Sequence, residues 1–184
     1  MTQLQAGESY EVSAGKVRMG IGWDKDAGAG AARTGRPEVD LDATALQFTG
    51  GQLFDLAFYN NLRTRDGSVE HLGDNTSGSG DGDDEVVRVD LAKVHGPVDK
   101  IVLLVSSYQG HSLEWVANAY CRLVDDETDE ELARFTLTFG IKETGCVLAL
   151  LRRTPAGWSL EAVGEGVAIT VPTQGLGKLT RFVS

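Results

Sequence analysis

The chain has 184 residues, with 17 basic and 27 acidic side chains and a formal net charge of −10. The length suits one domain spanning 1–184, and 41% hydrophobic residues suffice for a sizeable core. The charge excludes a basic nucleic-acid footprint, argues against attraction to anionic membranes, and points to cations or basic partners.

No segment reaches the roughly 18–20 apolar residues of a membrane span, so direct membrane insertion is not expected. The start, Met1-Thr2-Gln3-Leu4-Gln5-Ala6, lacks the basic and apolar stretches of a secretory signal, and an intracellular protein is expected. Apolar residues then recur with period two in short runs broken by Gly, Asp, Asn and Pro. Val17, Met19, Ile21 and Trp23 share one face of a predicted strand. The Gly- and Ala-rich stretch Lys25–Arg36 reads as a mobile loop. A strand opens at Asp40-Leu41-Asp42-Ala43, where the i, i+2 spacing points both carboxylates the same way. Leu53–Tyr59 places Phe54, Leu56 and Phe58 together, and Asn60-Asn61 ends that strand with amide oxygens to offer.

Val86–Leu91 alternates again, and Ile101-Val102-Leu103-Leu104-Val105 reads as a strand covered on both faces. Further strands are predicted at Val116–Val124, Leu132–Phe139, Cys146–Arg153, Trp158–Val163 and Val167–Val171. Leu113–Tyr120 fits helix or strand, and strand is preferred. The tail Pro172–Leu179 is expected to be loosely ordered. Trp23, Trp115 and Trp158 fall at core positions of strands. Cys121 and Cys146 are expected to be reduced, buried thiols; without a CxxC or Cys/His cluster there is no zinc ligand set. Eight or more short strands make the fold class all-β, a sandwich or barrel.

The informative stretch is Asp66–Glu85, which carries seven carboxylates and no Lys or Arg. Two such charges about 4 Å apart repel by about 1 kcal/mol in water and about 4 kcal/mol at an effective dielectric near 20. A folded loop that gathers them needs a compensating cation, whereas a solvated acidic loop does not. Gly73, Gly78, Gly80 and Gly82 allow tight turns that aim carbonyl oxygens inward beside carboxylates. Such a shell of hard oxygens suits calcium better than magnesium, zinc or copper. The stretch is not an EF-hand. Ser79–Val87 comes within one residue of the nonapeptide of calcium-binding β-rolls, but in a single copy. His71, His95 and His111 lie in no catalytic motif, and His71 reads as a surface or supporting histidine more than a base. With neither GxSxG nor HExxH present, no enzymatic activity is expected.

Together, Gly22-Trp23-Asp24, Asp40-Leu41-Asp42-Ala43, Phe58-Tyr59-Asn60-Asn61-Leu62, Asp66-Gly67-Ser68-Val69 and the run from Gly73 to Glu85 resemble the bacterial tellurium-resistance TerD family. Val116–Tyr120, Glu131–Phe135 and Trp158–Gly164 continue the resemblance over nearly the whole chain. It implies a two-sheet β-sandwich with calcium-binding loops at one end and calcium as the cofactor, in about two sites. The metal ligands it implies are Asp40, Asp42, Asp66, Asp74, Asp83, Asp84 and Glu85, with Asn60, Asn75, Thr76 and Gly80 adding amide, hydroxyl or backbone oxygens and Asp24 a weaker candidate. It further implies a cytoplasmic stress-response role, as calcium sensor or scaffold among other stress-response proteins in a membrane-associated assembly. The alternative is a carbohydrate- or protein-binding module whose calcium is structural. Two separated cysteines offer no evident means of holding or reducing tellurite.

Overall fold

A computed structural model describes residues 1–24, 40–74, 82–137 and 140–184, with the backbone alone for Asp24, Asp74, Trp115 and Ala117. The expected loop Lys25–Arg36 lies outside these residues. Two six-stranded sheets stack face to face. The first runs in the order β1 (Thr2–Leu4), β10 (Glu131–Thr136), β9 (Ala117–Asp125), β3 (Lys16–Asp24), β7 (Glu85–Asp90) and β6 (Val69–Asp74). The second runs β2 (Ser9–Val12), β12 (Gly157–Val167), β11 (Gly145–Thr154), β8 (Lys100–Ser107), β4 (Leu41–Thr49) and β5 (Gln52–Ala57). Every pairing is antiparallel except β1 with β10.

Alternation builds the core between the sheets. Val17, Met19, Ile21 and Trp23 from β3, with Val87 and Val89 from β7, meet Ala43 and Ala45 from β4 and Ile101, Leu103 and Val105 from β8. Trp158 also lies in this cluster, so Trp23 and Trp158 are core residues as their strand positions predict. Cys121 and Cys146 are free thiols on the inner faces of β9 and β11, and burial pushes both up to about 12.

The second sheet carries a further apolar cluster on its outer face. Leu46, Phe48, Val102, Leu104, Val147 and Leu150 are covered there by Ile169, Leu179, Phe182 and Val183. This is why Ile101–Val105 is apolar at every position, and it corrects the expectation of a loose tail. Residues 172–183 wind through short 3₁₀ turns and one helical turn and seal this face. Leu179 is fully buried, so Leu179→Ala is expected to cost about 2–5 kcal/mol, readable by chemical denaturation. A loose tail would cost nothing.

Other boundaries also differ from the pattern. β12 runs unbroken from Gly157 to Val167, and the run predicted at Val167–Val171 lies beyond its end. A register shift in the β4–β5 pairing pairs Gln47 with Asp55 and Phe48 with Leu53. The bulge sends Phe54 to the inter-sheet core and Leu56 to the outer cluster, so the two do not share a face. Residues 113–115 form a 3₁₀ turn, capped by the Ser112 hydroxyl on the Glu114 amide, before β9 begins. Strand β6 occupies part of the acidic stretch that reads as loop. Among the described residues, no helix is long and apolar enough to cross a membrane.

Candidate metal centre

Strand register fixes which acids share an end of the sandwich. Asp42 lies opposite Ser106, at the start of β4 and the end of β8. Leu41 and Val105 line a small apolar cavity together with Val116 and Ala119, so this end faces the start of β9. The start of β9 pairs with the end of β3, and Ile21 of β3 lies opposite Glu85, the first residue of β7. Asp40, Asp42 and the start of β7 therefore belong to the same end.

Asp40 and Asp42 line a cleft of about 420 Å³ with Tyr59, Tyr108 and Gln109. Tyr59 and Tyr108 pack edge to face, with ring centroids 5.4 Å apart. Their side-chain hydrogen bond, with smaller effects of burial and the Asp42 charge, pushes Tyr59 up to about 12. Asn60 is exposed in the tight turn beside Tyr59, closed by Phe58 N to Asn61 O and Asn61 N to Phe58 O at 3.0 Å each. The Asn61 amide donates to Leu56 O at 2.8 Å and so serves the turn itself. Tyr108 and Gln109 escaped the sequence reading because a lone Tyr-Gln after an apolar strand carries no motif.

The three consecutive acids that lead into β7 and begin it, Asp83, Asp84 and Glu85, go to three different places. Asp83 lies on the outer face of the first sheet, where Arg122 Nε and Nη2 donate to it at 2.7–2.9 Å and the Tyr120 hydroxyl donates at 2.8 Å. Asp84 accepts from the Trp23 amide at 2.9 Å. Glu85 points into the sandwich against His71, with Nε2 and Oε2 3.0 Å apart and both side chains 4% exposed. His71 Nδ1 accepts from the Gly73 amide at 2.9 Å. The spacing 83, 85 would share a face in a regular strand, but β7 begins only at Glu85.

Asp66 is not brought to this end. Its Oδ1 accepts from the Thr64 hydroxyl at 2.7 Å, the Ser68 amide at 3.0 Å and the Ser68 hydroxyl at 2.8 Å. Its Oδ2 accepts from Gln47 Nε2 and the His95 amide, both at 3.0 Å. Gln47 lies five residues beyond Asp42 along β4, about 17 Å at the strand rise. Gly67, at φ 75°, closes the Thr64–Gly67 turn, so Asp66-Gly67-Ser68 is turn chemistry. Partial burial opposes ionisation of Asp66, but the His95 and Ser68 amides and the Thr64 and Ser68 hydroxyls outweigh it and lower its pKa from 3.8 to about 2.

Asn75, Thr76 and Gly80 lie outside the described residues, as do the side chains of Asp74 and Asp24. Among the described residues, no group of three or more His, Cys, Asp or Glu is placed to hold a metal. The donors that line the cleft, two carboxylates, two phenols and one amide, include no thiol or imidazole. That chemistry fits a hard cation, with Asp40 and Asp42 as the charged pair.

The TerD domain profile matches residues 1–180. The chain belongs to the TerD family. Its similarity to tellurium resistance protein TerD of Alcaligenes sp is 40% identity over 161 residues, covering 83% of this chain and 81% of that protein. Tellurium resistance protein TerZ of Serratia marcescens is 39% identical over 154 residues, covering 82% and 79%. Stress response protein SCP2 of Bacillus subtilis (strain 168) is 33% identical over 181 residues, covering 89% and 91%. Among solved structures, the protein of unknown function SAV2460 superposes with a TM-score of 0.68 at 22% identity, over 88% of this chain and 95% of that one. At that identity the likeness shows the shared fold alone. This member thus has a two-sheet TerD fold, in a family whose named relatives are tellurium resistance and stress response proteins.

Proposed function

We propose that this TerD-family member is a non-enzymatic calcium-binding protein of the cytoplasm, acting as sensor or scaffold among other stress-response proteins. One observation carries the reading: Asp40 and Asp42 line one cleft with Tyr59, Tyr108 and Gln109, at the end of the sandwich where β7 begins. The Asp40 and Asp42 carboxylates supply charge, and the Gln109 and Asn60 amides supply neutral oxygens. Asp74, Asn75, Thr76 and Gly80 are the further ligands that the family resemblance implies. Calcium there relieves repulsion among carboxylates and holds the segment that joins β6 to β7 in one conformation, which a partner in a membrane-associated assembly reads.

A calorimetric calcium titration tests this reading directly. Saturable binding at about one or two ions per chain supports it, and a micromolar Kd fits a cytosolic sensor. A millimolar Kd would leave calcium with a structural role at most. The second reading, a carbohydrate- or protein-binding module with structural calcium, is favoured by the exposed Tyr59 and Tyr108 beside the cleft. Trp23 and Trp158 are buried and offer it no stacking surface.

A further inference from the structure

We propose that β2 is a self-pairing edge, through which a second copy of this chain joins about a two-fold axis to make one continuous sheet. The inference is independent of the calcium reading. The two sides of the sandwich end differently. On one side the edges are closed. Segment 62–64 runs against β6, with the His71 amide donating to Leu62 O at 2.7 Å and the Thr64 amide to Val69 O at 3.0 Å. On β5, Arg65 Nη2 donates to Phe54 O at 2.7 Å, Asn61 Nδ2 donates to Leu56 O at 2.8 Å, and the Asp55 carboxylate accepts from the Leu56 amide at 2.9 Å. A covering segment and side-chain caps leave a further strand little to pair with there. On the other side the second sheet ends at β2, whose one strand neighbour among the described residues is β12. Ser9 and Glu11 are exposed, while Tyr10 and Val12 pack against the core.

The register says which main-chain groups of β2 are spare. Ser9 lies opposite Glu161, Tyr10 opposite Leu160 and Glu11 opposite Ser159. Just before β2, the Ala162 amide donates to Glu8 O at 2.9 Å. Hydrogen-bonded and non-hydrogen-bonded pairs alternate along an antiparallel ladder, so Tyr10 and Val12 turn their main-chain groups toward β12, and Ser9 and Glu11 turn theirs away. A second copy set antiparallel about Tyr10 brings its Glu11 opposite Ser9 and its Ser9 opposite Glu11. Each spare amide then meets a spare carbonyl, and no two carboxylates stand directly opposite. The contact is isologous and uses up this edge on both copies, so it closes as a dimer rather than growing into a filament. The net charge of −10 on each copy opposes it, as does the diagonal approach of the two Glu11 side chains. Salt screens both, and the paired stretch is short, so the dimer is weak and strengthens with salt.

Sedimentation velocity of the full chain tests this. A monomer–dimer equilibrium should appear as concentration rises from about 1 µM to about 1 mM, and the dimer should tighten several-fold from about 0.05 to about 0.5 M salt. Glu11→Pro removes a spare amide and no bond to β12, so the melting temperature should hold while the dimer disappears. Glu11→Gln keeps the amide, removes the repelling charge and should tighten the dimer a few-fold. Cys121 and Cys146 are buried, so an added thiol reads the register. Residues on the axis sit about 4.5 Å apart at Cα, so Tyr10→Cys should be captured on oxidation as a disulfide-linked dimer, whereas Ser9→Cys, about 8 Å from its symmetry mate, should not. This pair of variants decides the matter should Glu11→Pro unfold. A monomer at every concentration and salt overturns the proposal. So does a dimer that survives Glu11→Pro, or one captured equally by Ser9→Cys and Tyr10→Cys.

Discussion

Replacing Asp40 and Asp42 together by Asn is expected to lower calcium affinity at least about a hundredfold, or about 2.7 kcal/mol. Asp40 just before β4 and Asp42 within it both line the cleft, and the substitution keeps their size while removing both charges. Calcium gains most from ionised carboxylates, and the neutral amide oxygens left behind are weaker ligands. The inner face of the strand, Leu41, Ala43 and Ala45, is untouched, so the fold persists in chelator. Isothermal calorimetry checks the affinity and a denaturant melt in chelator checks the fold. Unaltered affinity would move the site away from β4.

Asp66→Asn has the opposite profile: a large loss of stability with no change in calcium affinity. The carboxylate collects donors from Thr64, Ser68, Gln47 and His95, and an Asn retains one oxygen and presents an amide to the rest. Leaving partly buried donors facing a donor costs about 2–3 kcal/mol. At this chain length that lowers Tm by about 5–10 °C. The same group gives an acid limb. Its folded pKa of about 2 lies below the unfolded 3.8, so its stabilisation is complete above about pH 4 and is lost as pH falls through about 2. With solvent screening allowed for, the unaltered protein loses about 1–2 kcal/mol over that window from this group, and Asp66→Asn does not. Denaturant melts at a series of pH values read the difference. A calcium affinity that fell with Asp66→Asn would instead make Asp66 a ligand.

The strands whose two faces differ were legible because burial writes itself as alternation. β3 and β7 fall within a residue or two of where their alternation places them, and β8 and β11, covered on both faces, are as well placed by their continuous apolar runs. β1 and β2 are short edge strands with mixed exposure and carry too few apolar positions to show a period. The Phe54 bulge shifts a register that no local pattern records. The tail could not be read because its burial depends on an apolar outer face that only the assembled sheet creates.

The candidate site was legible as chemistry and less so as geometry. Asp40 and Asp42 were placed together by strand period alone. A stretch of seven carboxylates without Lys or Arg suggests a bound cation, but the counter-charge for Asp83 is Arg122, 39 residues away and on another strand. Gly20 and Gly22 look like strand weaknesses in sequence, yet their missing side chains admit Asp83 and Tyr120. Asp66 looks like one more acid of the run, and only pairing with Gln47 and His95 reveals it as a brace.

Thermal unfolding of the whole chain in chelator and in rising calcium tests most directly whether a divalent ion completes this end of the sandwich. Binding to the folded state alone adds about 2.7 kcal/mol at a hundredfold excess over Kd, so Tm should climb by about 5–10 °C. An identical melting temperature from chelator to millimolar calcium would contradict the account.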